Sequence, residues 1–294
     1  MILERIRQSL SRLSARQRMV AQYILTDYDK AAFMTAEKLA EASDVSQATV
    51  VRFANHMGYQ RYSELQQDLQ NVLQSRLSQT DRLLRTGDLK HHSTMMQTVI
   101  RSMHTDIRSI EQTLASIQER DLKRAVEWIS NARQVFVAGT HSEYGIACYF
   151  ASTLCWIREN VFLLDATHNP SFDMLGTASE NDVLVAISFP PYPAATVRFL
   201  DAALSRGARG IAITNSPLSP LAVRASVSLY THDEKLFFAD NSAPSVSLLS
   251  VILALVSSQD FKSSFARLRK KQDYWREIGL YYQEETLKEP PESL

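Results

Sequence analysis

The sequence is poor in several features, and each shortage argues against a class of protein. Only two of its 294 residues are cysteines, Cys148 and Cys155, too few for a disulfide framework and typical of a reducing compartment. Their spacing within a helical pattern predicts small core residues and not a redox pair. The longest apolar stretch, from Val246 to Val256, contains serines and is shorter than the roughly 20 residues that cross a bilayer. We therefore expect a soluble, cytoplasmic chain with no membrane partner.

An excess of charge of one sign is also absent, because 32 basic residues balance 32 acidic residues. Net charge therefore gives no support for a nucleic-acid partner, and any such hypothesis must rest on a local motif. The composition, 45% hydrophobic and 22% charged, is that of an ordinary globular protein. A chain of this length favours two domains over one.

The pattern of the chain changes near residue 120. Before that point the periodicity is helical, whereas from Arg133 onward short apolar runs alternate with helical segments. Such alternation is the signature of βαβ units and a parallel sheet. The predicted strands are 134–138, 161–164, 182–188, 210–214 and 226–230, and the predicted helices between them are 146–158, 194–206 and 245–257, with a brief helix within 169–177. The fold class expected is an α-helical domain followed by a three-layer α/β/α domain with a five-stranded parallel sheet.

These patterns divide the sequence into four segments. A helical domain occupies residues 1–76, and a linker with a connecting helix follows at 77–118, where 77–92 is polar and contains Gly87. The α/β domain covers 119–262, and a C-terminal helix and tail cover 263–294.

Within the helical domain, two short helices are separated by a tight turn. Ser14 and Gln17 form a capping-box pattern at the start of an earlier helix, and Thr35 is a suitable cap for the helix 35–42. The turn Ser43-Asp44-Val45 follows, and Ser46 caps a further helix that ends at Gly58.

The last of these helices has one apolar face and one polar face. Its apolar residues Val50, Phe53, Ala54 and Met57 are expected to pack inward, which leaves a polar set outward. The helix-turn-helix geometry consists of a helix, a short turn and a second helix whose first turn is polar. A small helical bundle with a polar surface helix gives the same sequence pattern. The candidate DNA-binding residues are Ser46, Gln47, Thr49, Arg52, Asn55 and Arg61.

The residues from Leu39 to Phe53, LAEASDVSQATVVRF, closely resemble the helix-turn-helix of the RpiR/MurR family of bacterial transcriptional regulators. The following stretch from Met57 to Leu65, MGYQRYSEL, also resembles that family, so the likeness covers roughly residues 1–75. It implies that the chain binds operator DNA and regulates transcription.

In the α/β domain, the loops after the strands carry polar clusters. Ligands of open parallel sheets bind beyond the carboxyl ends of the strands, so these loops are the expected effector site. The candidate effector-binding residues are Gly139, Thr140, His141, Ser142, Glu143, Ser188, Tyr192, Thr214, Asn215, Ser216, Asn241 and Ser242. A lone His141, without carboxylate or cysteine partners, is a poor metal ligand, and neither a metal nor another cofactor is expected.

These loops resemble the sugar isomerase (SIS) domain, most closely over residues 207–220, GARGIAITNSPLSP. A SIS domain joined to this helix-turn-helix defines the RpiR/MurR architecture and implies a sugar-phosphate effector. Two loops depart from the family pattern. In an alignment without gaps, Glu143 stands where a phosphate-binding hydroxyl is usual, whereas a shift of one residue gives that role to Ser142. In the second loop, Pro190, Pro191 and Pro193 replace donors. Three alternatives therefore stay open: a sugar phosphate, a sugar, polyol or amine-bearing metabolite, or a pocket that is only structural.

The hypothesis from another class is a sugar-phosphate isomerase on the same α/β domain. Such chemistry needs a poised base and acid, and no such pair stands out beside Glu143 and His141, so we do not expect an enzyme. The expected protein is a regulator of a metabolic, carbohydrate-related operon. It should act as a dimer or tetramer that reads half-sites, assembled through the α/β domain and the helical stretch 95–114.

Overall fold

The computed structural model describes residues 2–76, 80, 83, 94–167, 170–234, 238 and 240–281. These residues fall into two units, one within 1–104 and 235–240 and the other within 105–234 and 241–294. The linker predicted at 77–92 lies outside the described residues except at positions 80 and 83. The predicted division at residues 76, 118 and 262 stays a prediction.

The first unit contains a helical domain with one apolar core. Its helices are α1 (Ile2–Ser9), α2 (Ala15–Thr26), α3 (Tyr28–Ala31), α4 (Ala36–Ala42), α5 (Gln47–His56) and α6 (Tyr62–Arg76), with a 3-10 turn at Leu10–Arg12. The predicted capping box at the start of α2 is confirmed, because Ser14 accepts the Gln17 N–H and the Gln17 side chain returns to the Ser14 backbone. Phe53 of α5 is fully buried at the centre of this core.

Helix α5 ends where the sequence predicts. Gly58 adopts a positive φ of 87°, a conformation that only glycine takes without strain. Its N–H donates to the Asn55 carbonyl, and the Tyr59 N–H donates to the Ala54 carbonyl. This pair of bonds is the Schellman motif, which satisfies the last carbonyls of the helix.

The sheet lies in the second unit. Helix α7 (Met95–Ser116) begins in the first unit and belongs to the second from residue 105 onward. The elements that follow it are α8 (Glu119–Asn131), β1 (Val135–Ala138), α9 (Glu143–Ile157), β2 (Val161–Leu164), α10 (Pro170–Leu175), β3 (Val183–Ile187), α11 (Ala194–Ser205), β4 (Arg209–Thr214), β5 (Val227–Tyr230), α12 (Ala243–Gln259) and α13 (Phe261–Glu277). The five strands are all parallel, in the order β2-β1-β3-β4-β5. The predicted fold class is confirmed, and each predicted strand agrees to within a residue.

Two apolar clusters lie on opposite faces of this sheet. Alternate residues of β1, such as Val137 and Phe136, belong to different clusters, as the period of two along a strand requires. Residues of α8, α9 and α12 cover one face, while residues of α10 and α11 cover the other. The domain therefore has the three predicted layers. The strand order reverses between β1 and β3, and such a switch point opens a crevice at the carboxyl ends of the strands.

The prediction that Cys148 and Cys155 are core residues is wrong in part. Both are free thiols in α9 and both are partly exposed. The core face of α9 runs through Ala147, Ala151 and Leu154, so each cysteine lies one position away from it.

Among the described residues, no single helix is long and apolar enough to cross a membrane. The pair α12 and α13 meets the length and composition together, but it is bent by 108°.

Candidate functional site

The first candidate site is the polar face of α5. Ser46 occupies the N-cap position, but its hydroxyl bonds the Thr49 hydroxyl at 3.0 Å instead of capping a backbone N–H. The prediction that Thr49 faces outward is wrong, because its side chain is buried. Thr49 lies four residues before Phe53 and so shares the core face of the helix.

The other candidate residues of this surface are exposed, as predicted. Ser46, Gln47, Arg52 and Asn55 are open to solvent on α5, and Arg61 is exposed in the turn before α6. The Arg52 Nε donates to the Ala48 carbonyl at 3.2 Å, which holds the stem of the side chain along the helix. The surface therefore presents amide, hydroxyl and guanidinium groups, which bond base edges and phosphates in a major groove.

The second candidate site lies at the carboxyl edge of the sheet. Directly after β1, Gly139 permits a close approach to α9: a Cβ there would lie 2.7 Å from the Glu143 carbonyl oxygen and 2.9 Å from the Ala147 Cβ. His141 follows in the left-handed region at φ 58° and is exposed, as is Ser142. Glu143, the first residue of α9, is 3% exposed.

Ser188 lies after β3, at the switch point of the sheet. Its side chain is fully buried, and its Oγ has no hydrogen-bond partner among the described residues. A buried hydroxyl without a partner is costly, and this one lies at the edge where parallel sheets of this kind bind their ligands. The Pro190–Pro191 peptide bond that follows is cis.

Tyr192 joins this second loop to the loop after β4. Its hydroxyl donates to the Asn215 Oδ1 at 2.8 Å. Burial, and to a smaller extent the nearby Asp233 carboxylate, raise the pKa of Tyr192 to about 12, although a hydrogen bond with Thr214 lowers it. The phenol therefore stays protonated at neutral pH and serves as a hydrogen-bond donor.

The remaining candidates lie after β4 and before α12. Thr214 is fully buried, and the Ser216 Oγ accepts the Leu218 N–H in the turn that follows. The Asn241 Oδ1 accepts the Ala243 N–H at the start of α12, and Ser242 is exposed. Asn241 and Ser216 therefore shape their loops as well as line the edge.

Hydrogen bonds connect these loops, and some partners were not anticipated from the sequence. The buried Thr140 hydroxyl bonds that of Thr196 in α11 at 2.8 Å, which connects the loop after β1 to the helix between β3 and β4. Ser109 of α7 accepts the Asn241 amide and the Glu234 N–H. Thr196, Asp233 and Ser109 have no motif around them, and only the fold brings them to the site.

Two features of this edge bear on the class of ligand that it can hold. The carboxylate of Glu143 occupies the start of α9, where helix N–H groups otherwise favour a bound anion. Three prolines at 190, 191 and 193 cannot donate backbone hydrogen bonds. Within the part of the chain that the structure describes, no three His, Cys, Asp or Glu side chains are grouped as a metal site requires.

Comparisons with known proteins match the helical domain and the α/β domain. Residues 1–76 match the helix-turn-helix domain of the rpiR family, and residues 128–258 match the SIS domain. A relative from Haemophilus influenzae, described as an HTH-type transcriptional regulator, is 25% identical over 223 residues, which are 75% of this chain and 76% of that protein.

Two solved structures share the fold. The Vibrio vulnificus NanR protein complexed with ManNAc-6P has a TM-score of 0.59 and 21% identity, covering 96% of this chain and all of that one. The sugar isomerase domain of an RpiR transcription factor from Sphaerobacter thermophilus has a TM-score of 0.58 and 23% identity, covering 60% of this chain and 99% of that one. The chain therefore belongs to the RpiR family of transcription regulators, with a DNA-binding helix-turn-helix domain followed by a SIS domain.

Proposed function

We propose that this regulator binds an operator through α5 and that a small effector at the carboxyl edge of the sheet changes its operator affinity. The observation that carries the proposal is the buried Ser188 hydroxyl, which has no partner among the described residues and lies at the switch point. A coupling of about 1–3 kcal/mol between the two sites is typical of such control. Because such a regulator acts on bacterial DNA, the location we propose for it is the cytoplasm.

The effector we propose is a carbohydrate-derived metabolite of a carbohydrate-related operon. NanR, which shares this fold, was crystallised with a sugar phosphate. In this chain, the Ser188 and Tyr192 hydroxyls and the Asn215 amide suit a polyhydroxylated ligand. Two features favour an unphosphorylated or amine-bearing sugar over a phosphate. The buried Glu143 side chain occupies the start of a helix, where a phosphate would otherwise bind, and the prolines of the second loop lack backbone N–H donors.

A thermal-shift screen of the full chain against matched pairs tests the effector class. The pairs are glucosamine, N-acetylmannosamine and arabinose, each with its phosphorylated form, and a polyol such as mannitol is added. A ligand that binds only the folded state raises the melting temperature. We expect stabilisation by free sugars, amino sugars or polyols, whereas stabilisation by the phosphates alone would contradict the reading of Glu143. Turnover of a sugar phosphate would favour an isomerase instead.

Replacing Arg52 by alanine is expected to weaken binding to an operator fragment by about tenfold without unfolding the domain. The side chain is exposed and off the core face, so within the protein alanine removes only the exposed hydrogen bond to the Ala48 carbonyl, and the larger loss is that of contacts to DNA. Fluorescence anisotropy with a labelled promoter fragment measures the affinity, and circular dichroism checks the fold. Arg120→Ala removes the same charge from an exposed site in the other unit. An equal loss of affinity in both variants would mean that α5 does not contact the DNA.

Replacing Ser188 by alanine is expected to leave the free protein as stable as before or slightly more so, since a buried hydroxyl without a partner is removed. The melting shift produced by the sugar that binds the wild type should become much smaller at equal concentration. Ser205→Ala, which removes an exposed hydroxyl bonded to the Ala202 carbonyl, is the matched control. An unchanged ligand shift in Ser188→Ala would remove this residue from the effector site.

A further inference from the structure

The turn between α5 and α6 is attached to the rest of the helical domain on both sides of Arg61. Arg61 is exposed, whereas Tyr59 before it and Tyr62 at the start of α6 are partly buried and pack against the core of the domain. Each of the two tyrosines places its hydroxyl against a different part of the domain. Neither contact is explained by the polar face of α5.

The Tyr59 hydroxyl connects α1 to α6. It accepts a hydrogen bond from the Arg5 guanidinium of α1 and donates one to the Asp68 carboxylate of α6. The Arg5 guanidinium also lies 4.7 Å from the centre of the Tyr59 ring and 3.8 Å from the Asp68 carboxylate. Burial, and then the hydrogen bond to Asp68, raise the pKa of Tyr59 above its ordinary value, although Arg5 lowers it. The phenol therefore stays protonated at neutral pH and keeps its donor.

The other side of the turn is held by backbone groups. The Tyr62 hydroxyl and the Gln66 amide each donate to the Met34 carbonyl at 2.8 Å. The Gln60 N–H donates to the Glu64 carboxylate at 2.9 Å. These bonds fix the backbone immediately before and after Arg61, so the position of its Cα is set by the domain.

The Arg61 guanidinium is available to an acceptor outside the protein. Within the part of the chain that the structure describes, this group has neither an ion pair nor a hydrogen-bond partner. Base edges are contacted by the N-terminal residues of a recognition helix, whereas Arg61 follows the C-terminal end of α5. The acceptor that suits it is therefore a phosphate of the DNA backbone, and an arginine on a fixed backbone loses less freedom on binding.

We propose that Tyr59 is a positioning residue for operator binding: the bridge from Arg5 through its hydroxyl to Asp68 holds the turn so that Arg61 meets a DNA phosphate. The inference rests on the proposed function, because it requires that α5 and this turn lie against DNA. Tyr59 acts through Arg61 and makes no contact with the DNA itself. Without the hydroxyl, Arg5 and Asp68 lose the group between them, and the turn leaves the position in which Arg61 reaches the phosphate.

Tyr59→Phe tests this role, because it removes the hydroxyl and leaves the charge of the domain unchanged. Fluorescence anisotropy of the full chain with a labelled promoter fragment, repeated over a range of salt concentrations, measures both the affinity and its salt dependence. We expect the affinity to fall by about three- to tenfold and the slope of log affinity against log salt to become shallower by about one, the loss of one phosphate contact. Arg61→Ala should change the slope by the same amount. A hydroxyl that only stabilised the fold would lower the melting temperature and leave the slope unchanged.

The double variant separates positioning from independent effects. If Tyr59 acts through Arg61, adding Tyr59→Phe to Arg61→Ala should weaken binding by no more than about twofold, whereas independent effects would multiply. Tyr23→Phe removes the hydroxyl of another partly buried tyrosine of the same domain, on α2, and should bind as the wild type does. Circular dichroism confirms that each variant is folded at the temperature of the binding assay.

The possible outcomes distinguish this inference from the proposed function. An unchanged salt slope in Tyr59→Phe, or losses that multiply in the double variant, would overturn the positioning role. If Arg52→Ala weakened binding while Tyr59→Phe did not, only the role of Tyr59 would be wrong. A wild-type chain that bound no promoter fragment would overturn both.

Discussion

Replacing Asp182 by alanine is expected to lower the free energy of unfolding of the α/β unit by about 2–4 kcal/mol. The residue follows the turn before β3, at the edge of the sheet opposite the effector site. Its side chain is fully buried, and its two oxygens accept five hydrogen bonds. The donors are the Arg133 guanidinium, twice, the Gln134 N–H, and the N–H and hydroxyl of Ser179.

The loss is large because alanine leaves several donors without an acceptor. Arg133 is half exposed and regains water at little cost, but the backbone N–H groups of Gln134 and Ser179 lie in the folded turn. Each buried donor left unpaired costs about 1–3 kcal/mol. Urea unfolding followed by tryptophan fluorescence measures the effect, since Trp128, Trp156 and Trp275 all belong to this unit.

The pH dependence of the same difference has a definite sign. Burial alone would raise the pKa of Asp182, but the hydrogen bonds from Arg133 and Ser179 outweigh it and hold the pKa below its ordinary value. A carboxyl with a lowered pKa stabilises the fold fully above its unfolded pKa of about 3.9. This stabilisation is lost as the pH falls through the folded pKa. The wild type and Asp182→Ala should therefore differ by a constant amount at neutral pH and converge in acid.

Asp201 is the matched control for this substitution. It pairs with Arg224 at 2.9 Å on the surface, with half of its side chain exposed. Such exposed pairs contribute about 0.2–1 kcal/mol, so Asp201→Ala should unfold almost as the wild type does. Equal losses in Asp182→Ala and Asp201→Ala would show that the buried network does not stabilise the unit.

Much of this fold could be predicted from the sequence, because local signals and the global fold agree. Strands β1 and β3 are buried along their whole length. Because strands of this kind have continuous apolar sequences, both could be predicted from the sequence. Helix boundaries are set by local backbone contacts, at Ser14 with Gln17 in one helix and at Gly58 in another. Because these contacts involve only neighbours in the chain, the sequence alone could predict them.

The sequence-based predictions are wrong or incomplete where the surroundings of a side chain are set by packing and not by a local motif. Thr49 is of a type that contacts DNA, yet its spacing of four from Phe53 places it in the core. Thr196 and Asp233 reach the effector site only because α11 and the segment after β5 return to one sheet edge. Contacts at such sequence distances leave no local pattern, so they required the three-dimensional structure.

Replacing Gly139 by alanine is expected to destabilise the α/β unit by about 1–3 kcal/mol and to abolish the effector response. The added Cβ would lie 2.7 Å from the Glu143 carbonyl oxygen and 2.9 Å from the Ala147 Cβ. The oxygen is backbone in the first turn of α9, so it moves only if the helix start moves. That movement displaces the loop between β1 and α9, which carries Thr140 and its bond to Thr196.

The same substitution six residues later should have the opposite effect on the free energy of unfolding. Gly145 lies within α9, and an added Cβ there would meet no atom within 4 Å. Alanine is favoured over glycine in a helix interior by about 1 kcal/mol, so Gly145→Ala should raise the free energy of unfolding by roughly that amount. Urea unfolding and the sugar-induced melting shift compare the two variants directly. If Gly139→Ala were as stable and as responsive as Gly145→Ala, the close approach of β1 to α9 would not shape the effector site.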